Sequence, residues 1–197
     1  MKRFLFLTIV GVFLVAASAC SVVTVMEPIG ENPVQLQPKE WEGLWKLYLC
    51  PIFDDDEEEE TFFLIEVADG ENGVLKVQNI GRKPESVQVY LRESNDWMFG
   101  SFKDPDHADK GFDWGRFKKN GDRIVIWGPD YDQFSALVNE ELLPGHPYTG
   151  EQQRYDKFLI LSDLKPEHMK LITSDSNGDL FNWEYPSFMV RMSDDID

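Results

Sequence analysis

From Trp41 onward the chain is written in short runs of five to seven residues, and that spacing constrains the fold more than any other feature. Trp45-Lys46-Leu47-Tyr48-Leu49 alternates apolar with polar or amphipathic side chains. Thr61 to Val67 is β-branched and aromatic, and Leu75 to Ile80 and Val87 to Leu91 alternate again. Trp97 to Phe102, Phe112 to Phe117, Arg123 to Trp127, Lys157 to Leu161, Met169 to Thr173 and Phe188 to Met192 complete the series. A strand presents successive side chains to opposite faces, so such runs at regular spacing predict a half-buried antiparallel sheet closed or folded on itself. The expected fold class is mainly β, an antiparallel β-barrel or sandwich.

Turn chemistry agrees. Glu71-Asn72-Gly73, Lys119-Asn120-Gly121-Asp122 and Ser176-Asn177-Gly178-Asp179 each stand between strand-like runs. Asn-Gly supplies the positive φ that tight hairpins demand. One short helix is expected near 130–142: Asp130 or Asp132 can cap it, Phe134, Leu137, Val138 and Leu142 share a face, and Pro144-Gly145 ends it. A second helical turn is expected at Lys165-Pro166-Glu167-His168. No internal repeat is visible. The expected domain plan is a single β domain over 41–193 with an acidic tail at 194–197.

The first residues read differently. Lys2 and Arg3 precede an apolar stretch from Phe4 to Ala17, then Ala17-Ser18-Ala19 and Cys20. A charged start, a short apolar run and small residues before a cut make 1–19 a signal peptide; the run is too short for a comfortable membrane span of about 20 residues. Small-small-Cys after such a run resembles the lipobox of bacterial lipoproteins. That resemblance implies a diacylglycerol thioether on Cys20, cleavage before it and acylation of the new amine. Ser21, a residue other than Asp after the cysteine, implies sorting to the outer membrane, facing the periplasm. Ala17-Ser18-Ala19 is equally a site for ordinary signal peptidase, which cuts the same bond and leaves no lipid. Cys50 is the only other cysteine. A bare Cys20 can form a disulfide with it in an oxidising compartment, whereas a lipidated Cys20 leaves Cys50 a single thiol.

Residues 20–40 read as the lipidated N-terminus followed by a tether, because Pro28, Pro33 and Pro38 recur with Gly30, Asn32 and Gln35 between them. An extended Pro-containing linker of that length reaches roughly 60 Å.

Charge excludes one class of partner. The chain holds 19 basic and 36 acidic residues, a formal −17. Lys2 and Arg3 are the only charges in the first nineteen residues, so the remainder stands at −19. Such a chain repels nucleic acid and anionic head groups, and its membrane contact is expected through acyl chains on Cys20. Fourteen Phe, six Trp and six Tyr mark an acid-coated folded domain, since acidic disordered chains lack aromatics.

Gly43-Leu44-Trp45 opens the first strand run. A Gly-x-Trp in that position, with an arginine on the last strand, resembles the lipocalins and related calycin-like barrels. The resemblance implies a lipocalin-like barrel whose base is closed by Trp45, with Arg191 packed across the indole. Pro129-Asp130-Tyr131-Asp132 is only a partial echo of the family's middle motif.

No catalytic or metal constellation is recognisable. His107, His146 and His168 are scattered in loop-like sequence, and no His-Glu-x-x-His, Cys-x-x-Cys or Gly-x-Ser-x-Gly occurs. The run Asp54 to Glu60 and the cluster around Asp104 to Asp109 read as solvated loops. Asp175 to Asp179 opens like a calcium loop, but Pro186 stands where the twelfth-position Glu is needed. The expectation is no enzyme, no cofactor and no metal. Two functions remain. If alternate aromatics of the middle strands face inward, Trp97, Phe99, Trp114 and Trp127 line a cavity for a small hydrophobic ligand, against which stands a core filled by side chains. The alternative is an envelope interaction or assembly protein that acts through a loop or strand edge without a cavity.

Overall fold

Eight strands form a closed antiparallel barrel: β3 (Gly43–Tyr48), β4 (Thr61–Asp69), β5 (Val74–Asn79), β6 (Ser86–Ser94), β7 (Trp97–Phe102), β8 (Asp113–Asn120), β9 (Arg123–Trp127) and β12 (Ser187–Arg191). The computed structural model describes residues 21–48, 60–81, 86–105, 108–149 and 157–192. Residues 1–20 with Cys20, residues 49–59 with Cys50 and most of the acidic run, His107, residues 150–156 and the 194–197 tail lie outside the described residues. Each barrel strand pairs with its successor, and β12 inserts between β9 and β3 to close the ring. Closure leaves the strands no free edge.

The pleat decides what the ring encloses. Inward positions of β4, β5, β6 and β9 are Phe63, Ile65, Leu75, Val77, Val89, Leu91, Ile124 and Ile126, all buried in one apolar cluster with Trp45 and Met189. The hairpin at Glu71-Asn72-Gly73 forms as expected, with Gly73 at φ 67°. So does the one at Gly121, φ 56°, between β8 and β9.

A second layer covers part of the barrel. β1 (Ser21–Val25) pairs in parallel with β11 (Lys157–Leu161), and β10 (Gly145–Pro147) pairs antiparallel on the other side of β11. Helix α2 (Tyr131–Asn139) packs on β1 and β11. Asp130 caps it, its carboxylate accepting from the Gln133 N–H at 3.0 Å. The helix stops three residues before the expected end. Glu141 takes a positive φ of 58°, so Leu143 becomes buried while Leu142 is exposed.

Three expectations fail here. Residues 21–40 are not an extended tether. Val22, Val23, Thr24 and Val25 are buried, because β1 is sandwiched between two apolar clusters and needs apolar side chains on both faces. Each proline then has a local role. Pro28 follows the bend out of β1. Pro33 lies in the two-residue strand β2 (Asn32–Pro33), which pairs with β6 alone, and Pro38 starts the short helix α1 (Pro38–Trp41). Secondly, Met169–Thr173 is not a strand. It belongs to helix α3 (Pro166–Thr173), where Pro166 presets the first turn and the Lys165 N–H donates to His168 Nδ1 at 3.1 Å. Met169, Ile172 and Thr173 fall on one side at helical spacing, and Met169 and Ile172 join the core between the barrel and the layer that covers it. Thirdly, Asp175–Leu180 is 3₁₀ helix, since α3 rather than a strand precedes it. The described residues therefore hold three short α-helices where one helix and one further turn were expected.

Candidate functional site

The structure brings together the two residues that the sequence resemblance pairs. Trp45 on β3 and Arg191 on β12 are register partners. Trp45 is fully buried, and its indole N–H donates to the Trp41 carbonyl at 2.9 Å, tying α1 across the opening. Arg191 Nη1 donates to the Lys39 carbonyl on the same turn at 2.9 Å. Gly43 makes room for this. Its φ is +133°, and a Cβ there would stand 3.1 Å from Arg191 Nε. The guanidinium thus lies beside Gly43 and is bonded to the first turn.

Inside the ring the space is small. One cavity of about 40 Å³ lies among Trp41, Ile65, Leu91, Phe117, Ile124 and Met189, with Gly100 and Gly115 facing each other across β7 and β8. That is far below the 300–1,000 Å³ of small-molecule sites. At the end away from α1 the inward side becomes polar. Register places Asn79 beside Phe63, Asp113 beside Phe102 and Ser187 beside Ile126, and all three polar residues are buried. The nearby Asp104 is buried as well. Sequence reading had placed Asp104 in a solvated loop and had singled out neither Asn79 nor Asp113. An isolated Asp ending an aromatic run carries no mark of its burial.

The expected cavity lining is overturned. Trp97, Phe99, Trp114 and Trp127 do not line the barrel interior. Gly100 and Phe102 face inward on β7, so Trp97 and Phe99 face outward, and on β8 Gly115 and Phe117 send Trp114 outward. With Phe134 of α2, Phe181 and Ile172 of α3 they form the core between the barrel and the second layer. Trp114 meets Phe134 edge-on at 5.5 Å and Phe181 at 5.8 Å. Arg116, also outward on β8 and buried, lays its guanidinium 3.6 Å over the Trp97 ring and 5.2 Å from Phe181. Trp97, Trp127 and Trp183 meet one another at 4.9–5.7 Å at the margin of this core. The residues do gather, but on the other side of the sheet.

Opposite this covered face is one with no cover among the described residues. On the outward side of β3, β4 and β12, register sets Tyr48 beside Phe188, Lys46 beside Val190 and Phe62, and Leu44 beside Leu64. Tyr48, Phe188 and the nearby Ile80 are 44 %, 41 % and 52 % exposed. Lys46 sits in the middle, its ammonium bonded to Glu60 and lying 5.0 Å over Tyr48 and 5.9 Å over Phe62. The Glu60 hydrogen bond raises the Lys46 pKa above its ordinary value. Sequence reading missed this face. The signal was present in Phe62 and Leu64, two outward residues of the Thr61–Val67 run that are apolar where solvated strands are polar.

His146 is exposed on β10, and His168 caps α3. No cluster of three or more His, Cys, Asp or Glu able to hold a metal occurs among the described residues. No described helix is long and apolar enough to cross a membrane. The chain matches no protein-family model, no curated protein and no solved structure.

Proposed function

We propose that this chain is a lipid-anchored protein of the bacterial cell envelope that works by binding another protein on its outer surface, with no small molecule carried in its barrel. The observation that carries the second half is the interior: the cavity in the apolar-lined barrel is about 40 Å³, far below the volume of small-molecule sites. The first half rests on Lys2-Arg3, the apolar run and Ala17-Ser18-Ala19-Cys20. Acylation of Cys20 by more than one chain gives stable attachment, where one chain is marginal. Because β1 begins at Ser21, the anchor then holds the domain directly against the bilayer, on the periplasmic side of the outer membrane, and not at the end of a tether. The closed eight-strand ring and the Gly43–Trp45–Arg191 base support kinship with lipocalin-like barrels, here with the interior filled.

Two measurements test this reading. The intact mass of detergent-extracted protein is expected to show residues 1–19 removed and a diacylglyceryl group plus an acyl chain on Cys20; an unmodified Cys20 bonded to Cys50 overturns the anchor. Titration of palmitate into the protein is expected to leave the methyl NMR signals of Ile124, Ile126 and Met189 in place. Saturable one-to-one shifts of those signals overturn the filled-barrel reading and restore a carrier.

A further inference from the structure

We propose that Asn120 is a site of spontaneous deamidation and isoaspartate formation, and that the fold exposes it to this chemistry while protecting the similar Asn72. In an Asn-Gly step the glycine amide nitrogen attacks the asparagine Cγ. The amide proton and the carboxamide nitrogen leave as ammonia, and a five-membered succinimide forms. Water then opens either carbonyl of the ring, giving aspartate, or isoaspartate with the main chain routed through the former side chain. The only co-reactant is water, and glycine favours the attack because no side chain shields its nitrogen. The chain has three such steps, Asn72-Gly73, Asn120-Gly121 and Asn177-Gly178.

The fold treats the three differently. In the β4–β5 turn Asp69 holds Asn72 twice: Asn72 Nδ2 donates to Oδ2 at 2.8 Å, and the Asn72 backbone N–H donates to Oδ1 at 3.1 Å. Gly73 is held as well. Its carbonyl accepts from the Leu91 N–H at 2.7 Å, and a Cβ there would collide with the Leu91 carbonyl and the Val34 backbone. Ring closure at Asn72 requires the carboxamide to leave Asp69. Asn177 and Gly178 lie within the 3₁₀ helix, and the Gly178 carbonyl accepts from the Phe181 N–H and the Trp183 indole. At the β8–β9 turn, by contrast, Asn120, Gly121, Asp122 and Arg123 are all exposed, and a Cβ on Gly121 would meet nothing within 4 Å. The Lys119 ammonium bonds the Gly121 carbonyl at 2.9 Å, a contact that engages neither the Gly121 nitrogen nor the Asn120 carboxamide. Asn120 is the last residue of its strand, paired with Arg123, and an exposed hairpin tip opens at the least cost. The product matters because of what lies two residues on. The Asp122 carbonyl accepts the Arg191 N–H at 2.9 Å, and its carboxylate stands 3.8 Å from Arg191 Nη1. An isoaspartate at 120 lengthens the main chain by a methylene and displaces Asp122 from Arg191.

The test ages the full mature chain in mildly alkaline buffer and reads each Asn-Gly peptide by isomer-resolving mass spectrometry, each rate taken relative to the same site in the urea-unfolded chain. Asn120 is expected to react at least about tenfold faster than Asn72, because hydrogen bonds to a carboxylate must break first at Asn72. Asp69→Ala is expected to raise the Asn72 rate several-fold and to leave the Asn120 rate unchanged; Asp69 is exposed, so the fold is retained. Equal rates at Asn72 and Asn120 overturn the proposal, as does an Asn72 rate that Asp69→Ala does not change. The isoaspartate fraction, once separated, is expected to show a displaced Arg191 amide signal. Asn120→Asp adds the charge without the extra carbon and is expected to leave that signal in place. An Arg191 amide unmoved by isoaspartate, or moved as far by Asn120→Asp, overturns the coupling to Arg191.

Discussion

The two outer sides of the barrel begin from the same kind of sequence and end in opposite states. On β7 and β8 the outward residues Trp97, Phe99, Trp114 and Arg116 are roofed by α2, α3 and the three-stranded sheet. On β3, β4 and β12 the outward residues Tyr48, Phe62 and Phe188 have no roof among the described residues. Apolar burial contributes about 25 cal/mol per Å², so the covered side is a second core holding the fold and the bare side contributes little to it. An exposed aromatic on that side therefore adds little to stability.

Equal truncations on the two sides give the most direct way to break this contrast. Trp114→Ala removes a fully buried ring in edge contact with Phe134 and Phe181, and is expected to cost about 3–5 kcal/mol in urea unfolding. Phe188→Ala on the bare side is expected to cost under about 1 kcal/mol. Similar losses at the two positions would mean that the bare side is a structural face.

The barrel base serves both sides, and its effect is expected to be intermediate. Arg191→Ala removes a charged hydrogen bond to the Lys39 carbonyl, worth about 1.5–3 kcal/mol. Gly43→Ala is expected to be comparably harmful. It forces a side chain into a φ of +133° and against the guanidinium, a strain of order 1–3 kcal/mol. Because the two residues share one contact, the double substitution is expected to cost less than the two single losses combined. Strict additivity in a double-mutant cycle would show that Gly43 is there for its backbone alone.

The same parity argument explains what was legible in the sequence. Alternation located most of the barrel strands, and β7, β9 and β11 have the expected bounds. Gly43, Trp45 and Arg191 came together because a first and a last strand must meet when a barrel closes. Alternation states that Trp97 and Phe99 share a side of β7, yet it does not state which side is inside when both are apolar. Gly100 and Phe102 on the inside, and a roof built from residues more than thirty positions away, decided that. Val22 to Val25 was hidden for a related reason. A strand buried on both faces shows no alternation, and the prolines after it suggested a linker. Gly111 gave no warning either, although its lack of a Cβ lets the Val25 carbonyl approach to where a Cβ would be 2.4 Å away.

The smallest expected effect lies in the strap that joins the two sides. Residues 31–36 run from the covered side along the barrel, with Val34 N–H on the Leu91 carbonyl and Leu36 N–H on the Gly70 carbonyl. The β4–β5 turn that receives them is organised by Asp69. The side-chain hydrogen bond from Asn72, then the backbone N–H of Asn72 and of Glu71, hold its pKa below the ordinary aspartate value, against a small opposing effect of desolvation. A carboxylate depressed on folding stabilises the fold above its unfolded pKa, and that contribution is lost as pH falls through the folded value. The Glu71 and Asn72 amide signals are therefore expected to hold through the range where ordinary aspartates titrate and to shift only below it. Asn72→Ala is expected to move that midpoint back up. Asp69 is exposed, so the global midpoint of unfolding should scarcely change. If the strap transmits nothing, the bare-face signals of Phe62 and Leu64 stay fixed during this titration. If they move with Asn72, the turn is coupled to the bare face, and the two sides are not independent.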